Sequence, residues 1–130
     1  MHLIFGGAYQ GKLDYAKENY TYEDICDCAD GRAPDFEADI ICGIEGFVLR
    51  CAKEGVEARD YFMERESLWQ DKILVITDTS QGVVPIDRDV RAFREMNGRL
   101  MLYLAEKAET VTRVFCGIGK RLKEERRKSQ

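Results

Sequence analysis

Three features of this 130-residue chain predict a three-layer α/β fold around a mainly parallel sheet. Apolar runs alternate with stretches of helical periodicity, the pattern of layered α/β domains. Two of the runs, Ile40-Ile41-Cys42 and Ile73-Leu74-Val75-Ile76-Thr77, are continuous rather than alternating. Strands covered on both faces have that composition. The third feature is the opening segment, where Leu3-Ile4-Phe5 runs straight into Gly6-Gly7-Ala8-Tyr9-Gln10-Gly11-Lys12-Leu13. Gly-x-x-x-x-Gly-Lys after a strand is the spacing of a phosphate-binding P-loop.

The elements follow in order. Strands are predicted at 3–5, 38–42, 72–77 and 112–116, with a short additional one at 22–27. A helix follows the glycine loop over 13–19. A second helical region spans 44–70, and Gly55 breaks it into two pieces. A third helix covers 88–109, with Asp87 as its N-cap and Pro85 marking the turn before it. Along it Val90, Phe93, Met96 or Asn97, Leu100, Leu104 and Ala108 recur at helical spacing, a stripe that faces a core. The acidic, turn-rich stretch 27–39 reads as a surface loop. The charged run 120–130 reads as a solvated helical or frayed end.

Length fits one domain over residues 1–130 with a single core. A net charge of −4 argues against nucleic acid as the main partner. No apolar run reaches the length of a membrane span, and the first residues lack a signal-peptide pattern, so a cytoplasmic location is expected. The five cysteines, Cys26, Cys28, Cys42, Cys51 and Cys116, are odd in number and mostly flanked by apolar residues. Reduced, mostly buried thiols are expected. Cys26-x-Cys28 has neither zinc-site nor redox spacing and no histidine nearby, so no metal site is assigned.

The loop carries the candidate chemistry. Its glycines allow positive φ and bring backbone N–H groups toward phosphate oxygens, and the following helix offers its N-terminus to the same anion. Gly6, Gly7, Ala8, Tyr9, Gln10, Gly11, Lys12 and Leu13 are therefore the candidate nucleotide-binding residues, with Lys12 reaching the phosphates. A complete motif places Ser or Thr after the lysine to hold Mg²⁺. Leu13 has no oxygen to offer there. Tyr9 and Gln10 are large for a phosphate cradle, and an inward Tyr9 would favour an empty site.

A second segment extends the reading. Ile73-Leu74-Val75-Ile76-Thr77-Asp78-Thr79-Ser80-Gln81-Gly82-Val83-Val84-Pro85 is a strand, a polar turn and a Gly-x-Val-Pro exit. Arg91-Ala92-Phe93-Arg94-Glu95 and Gly98-Arg99-Leu100 follow on the third helix, and Val114-Phe115-Cys116-Gly117-Ile118-Gly119-Lys120 closes the pattern. With the glycine loop, these blocks resemble the bifunctional adenosylcobinamide kinase/adenosylcobinamide-phosphate guanylyltransferase family of cobalamin biosynthesis. The resemblance is strongest over 3–19 and 72–123. It implies a RecA-like P-loop fold, usually oligomeric, that phosphorylates adenosylcobinamide with a nucleoside triphosphate. It further implies transfer of GMP from GTP through a guanylylated histidine.

The departures from the family pattern are chemically pointed. The chain is shorter in the segment that holds the family's histidine, and its single histidine, His2, precedes the first strand. Ile41 stands where the family has the aspartate of its Asp-Cys strand end, and Leu13 where it has the Mg²⁺-binding hydroxyl. Thr77-Asp78 replaces Asn-Glu, and Met101-Leu102 replaces Asn-Gln. The resemblance thus implies a nucleotide site for ATP or GTP, with Mg²⁺ binding weakened and guanylyl transfer lost. Lys12 and Asp78 are the candidate catalytic residues of any phosphotransferase activity. The alternative is a non-catalytic nucleotide- or corrinoid-binding subunit, acting as a homo-oligomer or beside a complete homologue. Arg91, Arg94 and Arg99 face either a triphosphate, a neighbouring subunit, or ordinary ion pairs with Asp87, Asp89 and Glu95. Trp69 and Tyr61 serve either as base-stacking residues or as core.

Overall fold

The computed structural model describes residues 1–80 and 87–125. Eleven elements follow one another: β1 (His2–Gly6), α1 (Lys12–Asn19), β2 (Ile25–Asp27), β3 (Ile40–Cys42), α2 (Ile44–Glu54), α3 (Ala58–Met63), α4 (Glu66–Trp69), β4 (Ile73–Thr77), α5 (Arg88–Lys107), β5 (Thr110–Phe115) and β6 (Ile118–Glu124). The strands form one sheet in the order β2-β3-β4-β1-β5-β6. All neighbours pair in parallel except β5 and β6. This is the α/β fold with a mainly parallel sheet that the apolar runs predict.

Central β1 is fully paired, with Leu3 opposite Leu74 of β4 and Val111 of β5. Alternate residues of these strands feed two cores. Leu3, Ile41, Leu74, Ile76 and Val111 join Phe47, Phe62, Trp69, Leu100 and Leu104 beneath α2, α3, α4 and α5. Ile4, Ile40, Cys42, Ile73, Val75 and Val114 face the other way, onto Ala16 of α1 and the flanking Leu13, Tyr15, Tyr20 and Tyr22. Two-sided burial is why these strands read as unbroken apolar runs.

Several boundaries differ from the sequence reading. The region 44–70 forms three helices, because the left-handed Gly55 at φ 72° ends α2 and a second turn at Arg65 separates α3 from α4. On α5 the Asp87 carboxylate caps Asp89 and Val90 N–H as expected. The buried stripe, however, starts only at Met96, and Val90 is 43% exposed. Pro85 and the Gly82–Pro85 exit lie outside the described residues. The largest correction concerns the charged run. Residues 118–124 form β6, a largely exposed antiparallel edge strand, not a helical or frayed end, and 126–130 lie outside the described residues. Cys116 and Gly117 both take positive φ, 51° and 76°, between the paired Phe115 and Ile118. Two successive positive φ values make the two-residue turn that matches strand twist. Lys120 and Arg121 then serve as charges that blunt a sheet edge, while Lys123 Nζ donates to the Ala105 and Glu106 carbonyls at the end of α5.

Trp69 is 1% exposed and donates Nε1–H to the Phe62 carbonyl at 2.9 Å, so it belongs to the core. Tyr61 packs on Phe47 and lies beneath the Arg65 guanidinium at 3.7 Å.

His2 sits at the amino end of β1, its Nδ1 2.7 Å from Thr110 Oγ1 and its ring against Tyr20. Burial, aided by the amino-terminal charge, holds its imidazole below the ordinary 6.5. The unfolded chain therefore takes up this proton more readily than the folded one. Stability falls as pH drops from 6.5 toward the lower folded value. His2→Gln, which cannot titrate but still meets Thr110, flattens that limb. Urea midpoints at about pH 7.5 and about pH 5.5 check this, and parallel losses in both proteins contradict it.

Candidate functional site

The loop leaves the sheet at the carboxyl end of β1. A Cβ at Gly6 would lie 2.4 Å from the Val114 carbonyl oxygen, so only glycine lets β1 end this close to β5. Gly11, at φ 85°, is the N-cap of α1 and brings no side-chain cap. The first amides of α1 are thus left without a side-chain acceptor, and they carry the positive end of the helix dipole.

The structure places each candidate residue as follows. Lys12 opens α1 and donates from Nζ to the Gly7 carbonyl at 2.6 Å. Burial lowers its ammonium pKa, and the nearby Glu45 carboxylate opposes that shift. Ala8 and Tyr9 are exposed, and Tyr9 has φ 60° with its ring fully in solvent, so it does not fill the cradle. Gln10 turns away from the loop. Its Oε1 accepts the Cys116 N–H at 2.7 Å and its carbonyl accepts the Gly117 N–H at 2.8 Å. The loop is therefore hooked to the β5–β6 turn. Leu13 is half-buried and packs on the α1-side core.

A cleft of about 280 Å³ opens beside Lys12. One wall is Tyr9, Gln10, Gly11, Lys12, Leu13 and Asp14, and the other includes Asp27, Cys42, Gly43, Glu45 and Thr77. It lies at the carboxyl edge of parallel strands, where ligands of such sheets bind. Glu45, in the first turn of α2, accepts the Thr77 N–H at 2.9 Å and so ties α2 to the end of β4. Asp27 ends β2, and its Oδ1 accepts the Ala29 N–H at 2.9 Å. Neither carboxylate is among the residues that motif spacing selects. Each follows an apolar run directly, and that position was the available signal.

Asp78 is only partly brought to the loop. Its N–H donates to the Gly6 carbonyl at 2.8 Å, which extends the β1–β4 ladder. Its carboxylate accepts the Ser80 N–H and hydroxyl at 2.9 and 2.7 Å, and no ion pair joins it to Lys12 among the described residues. Buried Asn97 of α5 holds the same turn, donating to the Thr77 carbonyl at 2.9 Å and to Thr79 Oγ1 at 3.2 Å. Ile41 is fully buried under α2 and α5.

The arginines of α5 do not line the cleft. Arg99 makes a two-pronged pair with Glu57, at 2.9 and 3.0 Å, and Arg94 donates to the Ser80 carbonyl at 2.7 Å. For Arg99 this is the ion-pair alternative, with Glu57 across the α3–α5 contact as the two-pronged partner in place of one on its own helix. All five cysteines are free; Cys28, Cys42 and Cys51 are buried and Cys116 is exposed. Burial pushes the Cys42 and Cys51 thiols up to about 12 and about 11. Such thiols are inert at neutral pH. His2 lies at the opposite, amino end of β1, four residues or roughly 13 Å of strand from the loop. No described helix is long and apolar enough to cross a membrane.

Comparison with known proteins agrees with this architecture. A family model described as cobinamide kinase / cobinamide phosphate guanyltransferase matches residues 52–122, more than half of the chain. The matched span runs from the end of α2 to β6 and so begins after the glycine loop. No curated protein matches the chain.

Proposed function

The chain belongs to the cobinamide kinase / cobinamide phosphate guanyltransferase family, and from that premise we propose that it holds the phosphates of ATP or GTP on the loop Gly6–Leu13. The observation that carries the reading is the uncapped start of α1, with Lys12 beside it, facing a cleft at the carboxyl edge of the sheet. Backbone amides and the helix dipole favour an anion there, and the Lys12 ammonium adds a full charge. Lys12 leaves its contact with the Gly7 carbonyl to meet phosphate oxygens. The outward Tyr9 and the hooked Gln10 leave the cradle clear.

Two chemistries are compatible with this site. In the first, the protein is a phosphotransferase of the adenosylcobinamide kinase type, in which Lys12 offsets phosphate charge and Asp78 works from the neighbouring strand end. In the second, it is a nucleotide- or corrinoid-binding subunit without catalysis. Leu13 and Ile41 favour the second, since neither supplies the oxygen that Mg²⁺ needs at those two positions. Guanylyl transfer through histidine is absent in both. Within these 130 residues the single imidazole is His2, at the far end of β1 from the loop.

Two outcomes are expected. Lys12→Ala weakens ATP and GTP binding at least about tenfold, the scale of one charge-assisted phosphate contact, in a titration against the unmodified protein. Equal affinity in the two proteins removes the loop from the explanation. Incubation with α-labelled GTP leaves no label on the denatured chain. A labelled band overturns the reading that guanylyl transfer is lost.

A further inference from the structure

The end of β2 places two thiols in contact beside the cleft. Asp27 and Cys42 line the cleft itself. Cys26 and Cys28, one residue to either side of Asp27, turn to the opposite face and join the core beneath α2, as alternate positions of an extended chain do. Their Sγ atoms lie 3.8 Å apart. The one-residue spacing is not that of a redox motif, yet the fold brings the sulfurs together. Cys26 is half-buried, and the Asp35 N–H donates to its sulfur at 3.4 Å. Cys28 is fully buried, and burial, aided by the neighbouring Cys26, pushes its thiol up. Cys42, on the next strand, faces the other core.

We propose that Cys26 and Cys28 are a modification site, a dithiol that a peroxide converts reversibly to a disulfide. Cys26, the sulfur that solvent reaches, attacks one peroxide oxygen. The O–O bond breaks, the departing oxygen leaves as water with the proton that Cys26 gave up, and Cys26 becomes a sulfenic acid. The Cys28 sulfur then attacks the Cys26 sulfur. The S–O bond breaks, the hydroxyl leaves as a second water with the Cys28 proton, and the S–S bond forms. The thiols lose two electrons and the peroxide gains them. Burial keeps Cys28 from meeting peroxide first, and contact with Cys26 gives its attack the advantage of an intramolecular reaction. A second thiol within reach closes a reversible disulfide before oxidation runs on to sulfinic acid.

The bond requires the sulfurs to close from 3.8 Å to about 2 Å. Cys28 lies just past β2, tied by its N–H to the Cys42 carbonyl at 2.9 Å. Its own carbonyl presses on Gly46 of α2, where a Cβ would lie 2.5 Å away. Closing the bond therefore moves Asp27, between the two cysteines, and the first turn of α2, which carries Glu45. Both carboxylates belong to the far wall of the cleft, so oxidation of the pair reshapes that wall.

The inference does not depend on the nucleotide reading, and it is tested without nucleotide. The native chain is treated with hydrogen peroxide, its remaining thiols are blocked with iodoacetamide, and it is digested with trypsin. Cleavage after Lys17 and Arg32 leaves Cys26 and Cys28, and no other cysteine, in peptide 18–32. That peptide is expected to take no blocking group and to weigh about 2 Da less than its reduced form, the loss of two hydrogens. Dithiothreitol before blocking is expected to restore two reactive thiols. In Cys28→Ser, Cys26 is expected to stop at the sulfenic acid and be captured by dimedone. The amides of 43–46 are expected to shift between the reduced and oxidised chain. A peptide that still takes two blocking groups when exposed Cys116 is already oxidised overturns the proposal, and that measurement needs no substitution. So does passage of Cys26 to sulfinic acid with no disulfide form. Unchanged amides at 43–46 in the oxidised chain overturn the coupling to the cleft wall.

Discussion

The site depends on one close approach, between the carboxyl end of β1 and the backbone of β5. A side chain at residue 6 would meet the Val114 carbonyl at 2.4 Å, so Gly6 is what lets the central strand finish inside the sheet. From that point the loop has little room. It passes beside the β5–β6 turn, where Gln10 binds two amides of that turn, and it enters α1 through left-handed Gly11. A Cβ at Gly11 would stand 3.3 Å from the Cα of Gly117, so turn and loop are fitted to each other at that point too. Ala16 then seats α1 on the Ile4 and Val75 face of the sheet, which leaves Lys12 over the cleft.

The far side of the cleft is held by the other core. Phe47, Val48 and Cys51 fix α2 on the sheet, and Met96, Leu100 and Leu104 fix α5. Polar contacts from both helices reach the end of β4: Glu45 binds the Thr77 amide and Asn97 the Thr77 carbonyl. The end of β4 is thereby satisfied on both sides, as buried backbone groups require. The two walls of the cleft are thus positioned by separate cores, and a pocket between them is what remains. Its chemistry is mixed, with the Lys12 ammonium, helix amides and the Asp14 carboxylate on one wall and the Asp27 and Glu45 carboxylates on the other.

Most of this frame is legible in the residue order because it rests on contiguous signals. Apolar runs mark β1, β3 and β4, the 6–12 spacing marks the loop, and Asp87 marks the start of α5. The misreadings arise where a distant partner decides. Residues 118–124 carry too many charges to read as a strand alone, yet pairing with β5 and the turn at Cys116-Gly117 make them one. Glu45 and Asp27 gain their meaning only when α2 and β2 meet beside α1. Gln10 reads as an obstacle to phosphate until the hairpin supplies amides for it. Arg99 reads as a partner of its own helix until Glu57 appears across the α3–α5 contact.

The central claim is that phosphate meets the start of α1 beside Lys12. Amide chemical-shift mapping of the isotope-labelled chain during a titration with GTP, and then with ATP, tests it most directly. The account predicts the largest shifts in the backbone amides of Gly7 to Asp14, with smaller ones at Gly43, Glu45 and Thr77 across the cleft. Saturating shifts confined to other parts of the surface, or no shifts in 7–14 at all, contradict it.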